Sequence, residues 1–350
     1  MAIHPGFFWV TGSLLGTLTA DARAKWNTPP EQAARMTLIS TTPWQALTSE
    51  PDGLSESPFW HAQERRLYWV DIPGRRLARV AVDGLQAQGA VEYWPLQEEP
   101  GCIAPVQGDG QSGGLVLALR SGIYLARTWR GPLQLLAAAP YDTAKQRFND
   151  GKCDAHGRFW AGSLYEPKDQ ALGVLYMQDG QGLHPMQGGV TTANGLAWSP
   201  DGRTAYWADT AAHQIRAFDF DVASGQLSNA RVFYQAAPKP AGWAWSCTAP
   251  YGGRPDGAAV DAEGCYWSAQ YEGQRLLRLS PAGEVLQVVE TPVPCPTMPC
   301  FGGPDLKTLF ITSSRQGRSA EELAQYPGSG CVWAMRVEVA GLGVNGFGWG

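Results

Sequence analysis

Apolar and polar residues alternate along this chain in short runs that are separated by polar turns. Residues 60–71 and 198–209 show the pattern twice, with a Trp, a Tyr-Trp pair and an Asp at the same offsets. The turn in the second copy is Pro200-Asp201-Gly202, and a turn of this kind between two apolar runs is typical of a β-hairpin. A second pair of similar segments spans residues 153–160 and 260–267. The pattern therefore predicts a repeated unit of antiparallel strands.

The repeated unit occurs six times from residue 60 onward. Its anchor positions lie 43, 50, 45, 62 and 41 residues apart, and they are Trp60, Ile103, Cys153, Trp198, Val260 and Phe301. A period near 48 residues, with about four strands per unit, is typical of a β-propeller blade. An insertion at residues 236–254 accounts for the longest spacing. We therefore predict an all-β, six-bladed β-propeller with a metal site at one end of its central channel.

The propeller is predicted to span residues 36–350 as a single domain, with residues 1–35 as an N-terminal extension at its periphery. The 42 Gly and 26 Pro residues among 350 supply the many tight turns that six blades need. A β-sandwich of two sheets, or two smaller β domains, is the alternative architecture. The regular period favours the propeller.

Charge and cysteine content limit the partners and the compartment. The net charge is −5 and the chain has no run rich in Lys or Arg, so we expect neither a nucleic-acid nor a membrane partner. Seven cysteines without CxxC spacing are typical of reduced thiols in the cytoplasm. Apolar residues 7–18 resemble part of a signal peptide, but no Lys or Arg precedes them. We predict a cytoplasmic protein that is a monomer or a weak homodimer.

Polar residues recur four positions before the anchors. This set consists of Glu56, Glu99, Asn149, Asn194, Asp256 and Thr297. Equivalent positions in equivalent blades form a ring about the propeller axis, and burying carboxylates together is costly unless a cation compensates them. Carboxylate and amide oxygens suit Ca²⁺, Mg²⁺ or Mn²⁺, and Zn²⁺ or Fe²⁺ with water ligands is also compatible. Caps on the turns above the blades are the alternative role of these residues.

Several motifs, in order from residue 52 to the C-terminus, resemble the regucalcin/gluconolactonase family of six-bladed propellers. They are Glu56-Ser-Pro-Phe-Trp60, Arg147-Phe-Asn-Asp-Gly-Lys152, Asn194-Gly-Leu-Ala-Trp198, Pro255-Asp256-Gly257, Phe301-Gly-Gly303 and the terminal Gly341-Leu-Gly-Val344.

The resemblance implies roles for individual residues. It implies that Glu56, Asn194 and Asp256 hold one divalent metal ion, with Ca²⁺ or Zn²⁺ as the favoured occupant, and that Arg147 and Asn149 contact the substrate. Glu166 is the nearest candidate for a substrate-contacting glutamate seen in some members, and Glu99 is a further candidate on the substrate side.

The predicted function is metal-dependent hydrolysis of sugar (aldono) lactones such as gluconolactone. Water activated by the metal would attack the lactone carbonyl, with Asp256 as general base and Glu56 beside it. Arg147 would donate to substrate hydroxyls or to the developing oxyanion. A phosphotriesterase or an acyl-homoserine lactonase acting at the same site is one alternative. A non-catalytic propeller that binds calcium or another ligand is a second.

Overall fold

The repeated hairpins fold as six sheets in which neighbouring strands of each blade are antiparallel. The structure is a computed structural model that describes residues 16–17, 37–38, 43–107, 114–247 and 249–348. Three short strands precede the first blade: β1 (Gly16–Thr17), β2 (Thr37–Leu38) and β3 (Gln45–Ala46). Within each blade the strands follow sequence order from the channel outward, except that β3 is the outermost strand of blade 6. One short helix, α1 (Ala320–Gln325), lies in the last blade.

The strands of the blades have the following bounds. Blade 1 consists of β4 (Ser55–His61), β5 (Arg66–Asp71), β6 (Arg76–Asp83) and β7 (Gln86–Pro95). Blade 2 consists of β8 (Pro100–Pro105), β9 (Leu115–Leu119), β10 (Gly122–Ala126) and β11 (Gln134–Ala138). Blade 3 consists of β12 (Gln146–Cys153), β13 (Phe159–Tyr165), β14 (Gly173–Gln178) and β15 (Leu183–Val190).

The second half of the ring is built in the same way. Blade 4 consists of β16 (Ala193–Trp198), β17 (Thr204–Asp209), β18 (Gln214–Phe220) and β19 (Leu227–Gln235). Blade 5 consists of β20 (Arg254–Val260), β21 (Tyr266–Tyr271), β22 (Arg275–Leu279) and β23 (Val285–Glu290). Blade 6 consists of β24 (Pro296–Gly302), β25 (Thr308–Ser313), β26 (Trp333–Arg336) and β3.

The six blades close into a ring. The inner strands β4, β8, β12, β16, β20 and β24 contact one another in this order, and β24 contacts β4. Strand β3 comes from before blade 1 and pairs antiparallel with β26, so the outermost strand of blade 6 comes from the other end of the chain. Strand β2 pairs in parallel with β23, and β1 pairs with β2, at the edge of blade 5.

The hydrophobic core lies between the blades. Six clusters of buried side chains are present in the described part of the chain, one at each interface between neighbouring blades. Aromatic residues of the second strands fill these interfaces, and the indoles of Trp69, Trp160, Trp207 and Trp267 are almost completely buried. Large aromatic side chains contribute the most apolar area per residue to such a core.

The similarity between residues 153–160 and 260–267 reflects a shared turn. In blade 3, Asp154 accepts backbone hydrogen bonds from its own turn and side-chain hydrogen bonds from Trp160 Nε1 (2.8 Å) and Arg158 Nε (2.6 Å). In blade 5, Asp261 does the same with Trp267 Nε1 (2.9 Å) and with an arginine of β22 (2.7 Å). Each aspartate therefore fixes its hairpin turn and satisfies a buried indole.

The prediction of an all-β, six-bladed propeller is confirmed. Each predicted anchor lies on the inner strand of its blade. The predicted extension, residues 1–35, lies outside the described residues except for β1. No helix among the described residues is long and apolar enough to cross a membrane. The seven cysteines form no disulfides.

Candidate active site

All six inner strands have an irregularity of pairing near their first residues. The register with the second strand of the blade shifts between Glu56 and Phe59, Pro100 and Cys102, Phe148 and Gly151, Asn194 and Ala197, Pro255 and Ala258, and Pro296 and Pro299. Such bulges redirect side chains and often lie beside active sites. Five of the six predicted ring residues lie at or within these bulges, whereas Glu99 directly precedes β8. The bulges therefore define one end of the channel, which we call the site end.

Two aspartates fix the backbone ahead of Glu56 and Asn194. Asp71 accepts hydrogen bonds from two N–H groups of the segment before β4 (3.1 and 3.3 Å) and from one in the β5–β6 turn (3.3 Å). Asp209 accepts from two N–H groups before β16 and from one in the β17–β18 turn, all at 3.1 Å. These are the aspartates of the two Tyr-Trp segments, so the repeat positions two predicted metal ligands.

A chain of hydrogen bonds joins four predicted site residues. Arg147 Nη1 donates to Asn149 Oδ1 (2.8 Å), and Asn149 Nδ2 donates to Asn194 Oδ1 (2.7 Å). Asn194 Nδ2 then donates to Asp256 Oδ1 (2.6 Å) and to Thr210 Oγ1 (2.7 Å). Arg147, Asn149, Asn194 and Asp256 are all buried. Blades 3, 4 and 5 therefore bring these four side chains into one connected network.

Three carboxyl groups lie together at the site end. Glu56, Asp150 and Asp256 have exposed fractions of 6%, 4% and 7%. Burial, with the charges of Asp256 and Asp150, raises the pKa of Glu56 well above its usual value. Burial, with the charge of Asp150, raises the pKa of Asp256 to about 8. The cause is physical: closely spaced buried carboxyls oppose one another's ionisation.

Lys152 lies next to this acidic group. Its Nζ donates to the carbonyl oxygens of Leu196 (3.0 Å) and Ala258 (2.5 Å), which belong to the inner strands of blades 4 and 5. Burial lowers the pKa of Lys152, while the charges of Asp150 and Glu56 oppose this shift. The ammonium group thus ties three inner strands together and offsets part of the acidic charge.

The donor set fits a hard divalent cation. Asp150 Oδ2 accepts a hydrogen bond from Leu196 N (3.0 Å), but its Oδ1 is buried without a hydrogen-bond partner. Carboxylate and amide oxygens are the ligands that Ca²⁺ and Mg²⁺ prefer. No group of three His, Cys, Asp or Glu side chains among the described residues is spaced as a ready-made metal site. Asn194 turns Nδ2 toward Asp256 here, so a ligand role requires its amide to be turned the other way.

Glu99 and Glu166 lie at the rim of the site and not among the buried carboxyls. Arg120 donates to Glu99 Oε2 (3.0 Å) and forms a bidentate pair with Glu166, at 2.9 Å to each oxygen. Glu166 Oε1 lies 3.8 Å from Arg147 Nε, and Glu99 also faces Arg75 at 3.6 Å. Glu166 therefore adjoins the predicted substrate contact Arg147, whereas Glu99 is one ion pair further away.

Asp150 and Lys152 are site residues that were not predicted from the sequence. The rule of four positions before the anchor selects Asn149 in blade 3, where the anchor is Cys153. The pairing register of β12, however, places both residue 149 and residue 150 within the bulge. An alignment of the blades on their Asp-Gly and Asn-Gly dipeptides would have identified Asp150, because Asp150-Gly151, Asn194-Gly195 and Asp256-Gly257 share this pattern.

The mouth of the site end carries the insertion between blades 4 and 5. Its Trp243 contacts both Trp245 and Tyr251, and Trp245 packs edge-on against Tyr326 beside α1 (5.6 Å between ring centres). Tyr251 OH also lies 2.7 Å from Nε2 of His213. The insertion therefore bridges the mouth from blade 4 to blade 6.

The opposite end of the channel is different in character. A cavity of about 540 Å³ extends from the bulges toward this end, and it is lined mainly by apolar residues of the inner strands, including Trp60, Trp198 and Phe301. Residues 342–345 of the C-terminal segment also line this cavity. Lys152 is among its lining residues, so it lies between this far end and the carboxyl groups.

Known proteins resemble this chain over most of its length. It is 44% identical over 298 residues to a 6-deoxy-6-sulfogluconolactonase of Pseudomonas putida, covering 85% of this chain and 96% of the relative. It is 34% identical to regucalcin of Danio rerio, covering 88% and 98% of the two chains.

Solved structures share the fold. A regucalcin from Agrobacterium tumefaciens superimposes with a TM-score of 0.78 at 23% identity, covering 87% of this chain and 97% of that one. A gluconolactonase from Xanthomonas campestris gives 0.63 at 25% identity, covering 89% and 94%. Residues 54–315 match the family described as SMP-30/Gluconolactonase/LRE-like region. The predicted resemblance is confirmed, and the chain belongs to this family.

Proposed function

We propose that this protein is a lactonase that hydrolyses sugar (aldono) lactones such as gluconolactone and depends on one divalent metal ion. The observation that carries the proposal is the group of three buried carboxyls at the end of the network from Arg147 to Asp256. The sulfogluconolactonase and gluconolactonase relatives support the reaction class.

Glu56, Asn194 and Asp256 would hold the metal ion, with Asp150 beside them. A divalent ion bound there would polarise a carbonyl oxygen and lower the pKa of water. The unpartnered Oδ1 of Asp150 and the raised pKa values of Glu56 and Asp256 support this assignment, because a cation removes the cost of ionising the three groups together. Calcium is our first choice, since all the donors are oxygens.

Asp256 would be the general base. A bound cation would keep Asp256 ionised, and an ionised carboxylate whose basicity is raised by burial accepts a proton from the attacking water more readily than an ordinary aspartate. Asn194 Nδ2 donates to Oδ1 and so fixes the orientation of the carboxylate. Glu56 reaches the site from blade 1, two blades from Asp256 around the ring, and would share the metal ion with it.

Arg147, Asn149 and Glu166 would bind the polyhydroxylated part of the lactone. Arg147 uses Nη1 to hold Phe148 O and Asn149 Oδ1, but its Nη2 has no acceptor in the described part of the chain. That group can donate to a ring hydroxyl or to the oxyanion. Glu166 keeps 38% of its side chain exposed and can accept from hydroxyls.

A second candidate is hydrolysis of an acyl-homoserine lactone or a phosphotriester. The indoles of Trp243 and Trp245 at the mouth favour it, because they offer apolar area to an acyl or aryl group. A calcium-binding role without catalysis is the remaining alternative.

A substrate panel tests the proposal. Metal-loaded protein should hydrolyse glucono-1,5-lactone well above the spontaneous rate, measured by continuous proton release, and should act far more slowly on acyl-homoserine lactone and paraoxon. Chelation should abolish the activity and added metal should restore it. Absence of lactone hydrolysis with every divalent metal, or full activity after verified metal removal, would contradict the proposal.

A further inference from the structure

Lys168 is an unpartnered cation at the mouth of the site. It lies in the β13–β14 loop, two residues after Glu166, in the left-handed backbone region with φ near 60°. Its ammonium forms neither a hydrogen bond nor an ion pair with any residue that the structure describes. Desolvation, together with the charges of Arg254 and Arg147, lowers the pKa of Lys168, and the charges of Asp256 and Glu166 oppose this shift. The exposed Lys168 therefore faces two guanidinium groups as well as two carboxyl groups.

Arg254 also has unused hydrogen-bonding capacity. It is the first residue of β20, two positions before Asp256, and its Nε is buried without an acceptor. Its guanidinium lies 5.3 Å from the ring centre of Tyr271, and its Nη2 lies 3.3 Å from Glu272 Oε2. A buried N–H without an acceptor is unfavourable unless a ligand supplies one.

The positive charge around Arg254 exceeds the negative charge that faces it. Glu272 is shared by Lys239 (2.8 Å), Arg254 (3.3 Å) and Arg318 (3.2 Å), and Arg318 also contacts Glu322 (3.4 Å). Three cations therefore share two carboxylates, Glu272 and Glu322, and one positive charge of the group is left without a carboxylate of its own. The insertion supplies Lys239, so this excess of charge depends partly on the segment that enlarges the mouth.

We propose that Lys168 and Arg254 form a subsite for an anionic substituent, a sulfonate or a phosphate, on the sugar lactone; this inference rests on the proposed lactonase function. An unsubstituted aldonolactone is neutral, so it leaves Lys168 without an ion pair and Arg254 Nε without an acceptor. A tetrahedral oxyanion supplies several acceptor oxygens at once, and hydrogen bonds between charged partners are roughly twice as strong as neutral ones. The substituent would lie on the side of Asp256 that faces blades 3 and 5.

Kinetics with matched substrates tests the subsite. The value of kcat/KM is measured for glucono-1,5-lactone and for its 6-phosphate and 6-sulfonate forms. Wild-type protein should prefer at least one anionic form by tenfold or more. Lys168→Gln and Arg254→Gln should each reduce the ratio of anionic to neutral kcat/KM at least tenfold. Lys307→Gln, at the far end of the channel, should leave the ratio unchanged. The anion with the larger ratio identifies the preferred substituent.

A binding measurement separates this proposal from the lactonase proposal. The ring analogue 1,5-anhydroglucitol and its 6-phosphate and 6-sulfonate have no carbonyl to hydrolyse. Calorimetry should show at least tenfold tighter binding of an anionic analogue, and Lys168→Gln should remove that difference. If the anionic analogue binds more tightly and Lys168→Gln removes that difference, but no lactone is hydrolysed, the subsite is supported and the lactonase function is contradicted. Turnover without any anion preference, or an equal loss on neutral and anionic lactones, overturns the subsite.

Discussion

At one end of the central channel the inner strands place Glu56, Asp150 and Asp256 together, whereas at the other end the same strands line an apolar cavity with Trp60 and Trp198. The blades have the same strand order throughout, so the difference arises within each inner strand. The bulge lies at the boundary between the polar half and the apolar half. A bulge that is repeated in all six inner strands therefore separates the site end, with its carboxyl groups, from the apolar end of the channel.

The largest expected effect comes from removing one carboxylate at the site end. Asp256→Asn should reduce kcat for lactone hydrolysis about 10³-fold, since the variant loses both the general base and a metal ligand. Asp201→Asn at the far end, where Asp201 only caps a turn through Ser199 and Arg203, should change kcat less than twofold. Circular dichroism should show native folds for both. Similar losses in the two variants would break the comparison of the two ends.

Lys152, which lies between the two ends of the channel, should contribute to the free energy of unfolding. Lys152→Met leaves the carbonyls of Leu196 and Ala258 without their donor and removes charge beside the carboxyls. We expect the free energy of unfolding of the metal-free protein to fall by about 3 kcal/mol, as for other broken buried pairs. Urea denaturation measures it, with Lys307→Met as the control. A loss below about 1 kcal/mol would show that Lys152 does not hold the inner strands together.

A smaller effect should follow when the fork of Arg147 is lost but its charge is kept. Arg147→Lys cannot hold Phe148 O and Asn149 Oδ1 while also donating to substrate. We expect kcat/KM for gluconolactone to fall about 10- to 100-fold. Arg203→Lys, on an exposed turn at the far end, is the matched control and should be neutral. Unchanged kinetics in Arg147→Lys would remove Arg147 from the substrate site.

The smallest effect concerns calcium and pH. The pKa of Asp256 is about 8 in the folded metal-free protein but 3.8 when unperturbed, so the folded state retains a proton that the unfolded state releases. Metal-free stability should therefore decline as pH rises from about 4 to 8. Calcium binding requires ionised carboxylates, so the increase in Tm caused by calcium should be a few degrees larger at pH 8 than at pH 5. Scanning calorimetry measures it, and a shift independent of pH would contradict the assignment. The shift should persist in Asp201→Asn, because that carboxylate lies at the far end.

The repeat pattern predicted the six inner strands, because Trp, Tyr-Trp and turn residues recur at spacings that hydrophobic burial requires. It did not predict the bulges, since a bulge changes backbone pairing without changing the apolar pattern. Asp150 was missed for this reason. Strand β3 was also missed, because two exposed residues, Gln45 and Ala46, carry no detectable signal of their own. The rim position of Glu99 depends on its ion pair with Arg120, which lies in the β9–β10 turn and could not be matched to Glu99 from the repeat alone.

The pairing of Ala46 with Trp333 has a consequence for biosynthesis. Gln45 and Ala46 leave the ribosome before any blade is complete, yet their partner strand follows about 290 residues later. Blades 1 to 5 can form as they emerge, but the circle stays open until residue 333 has been synthesised. The contacts between β24 and β4 across the gap must wait equally long. Glu56, on β4, therefore acquires its final surroundings only after the inner strand of blade 6 has been synthesised.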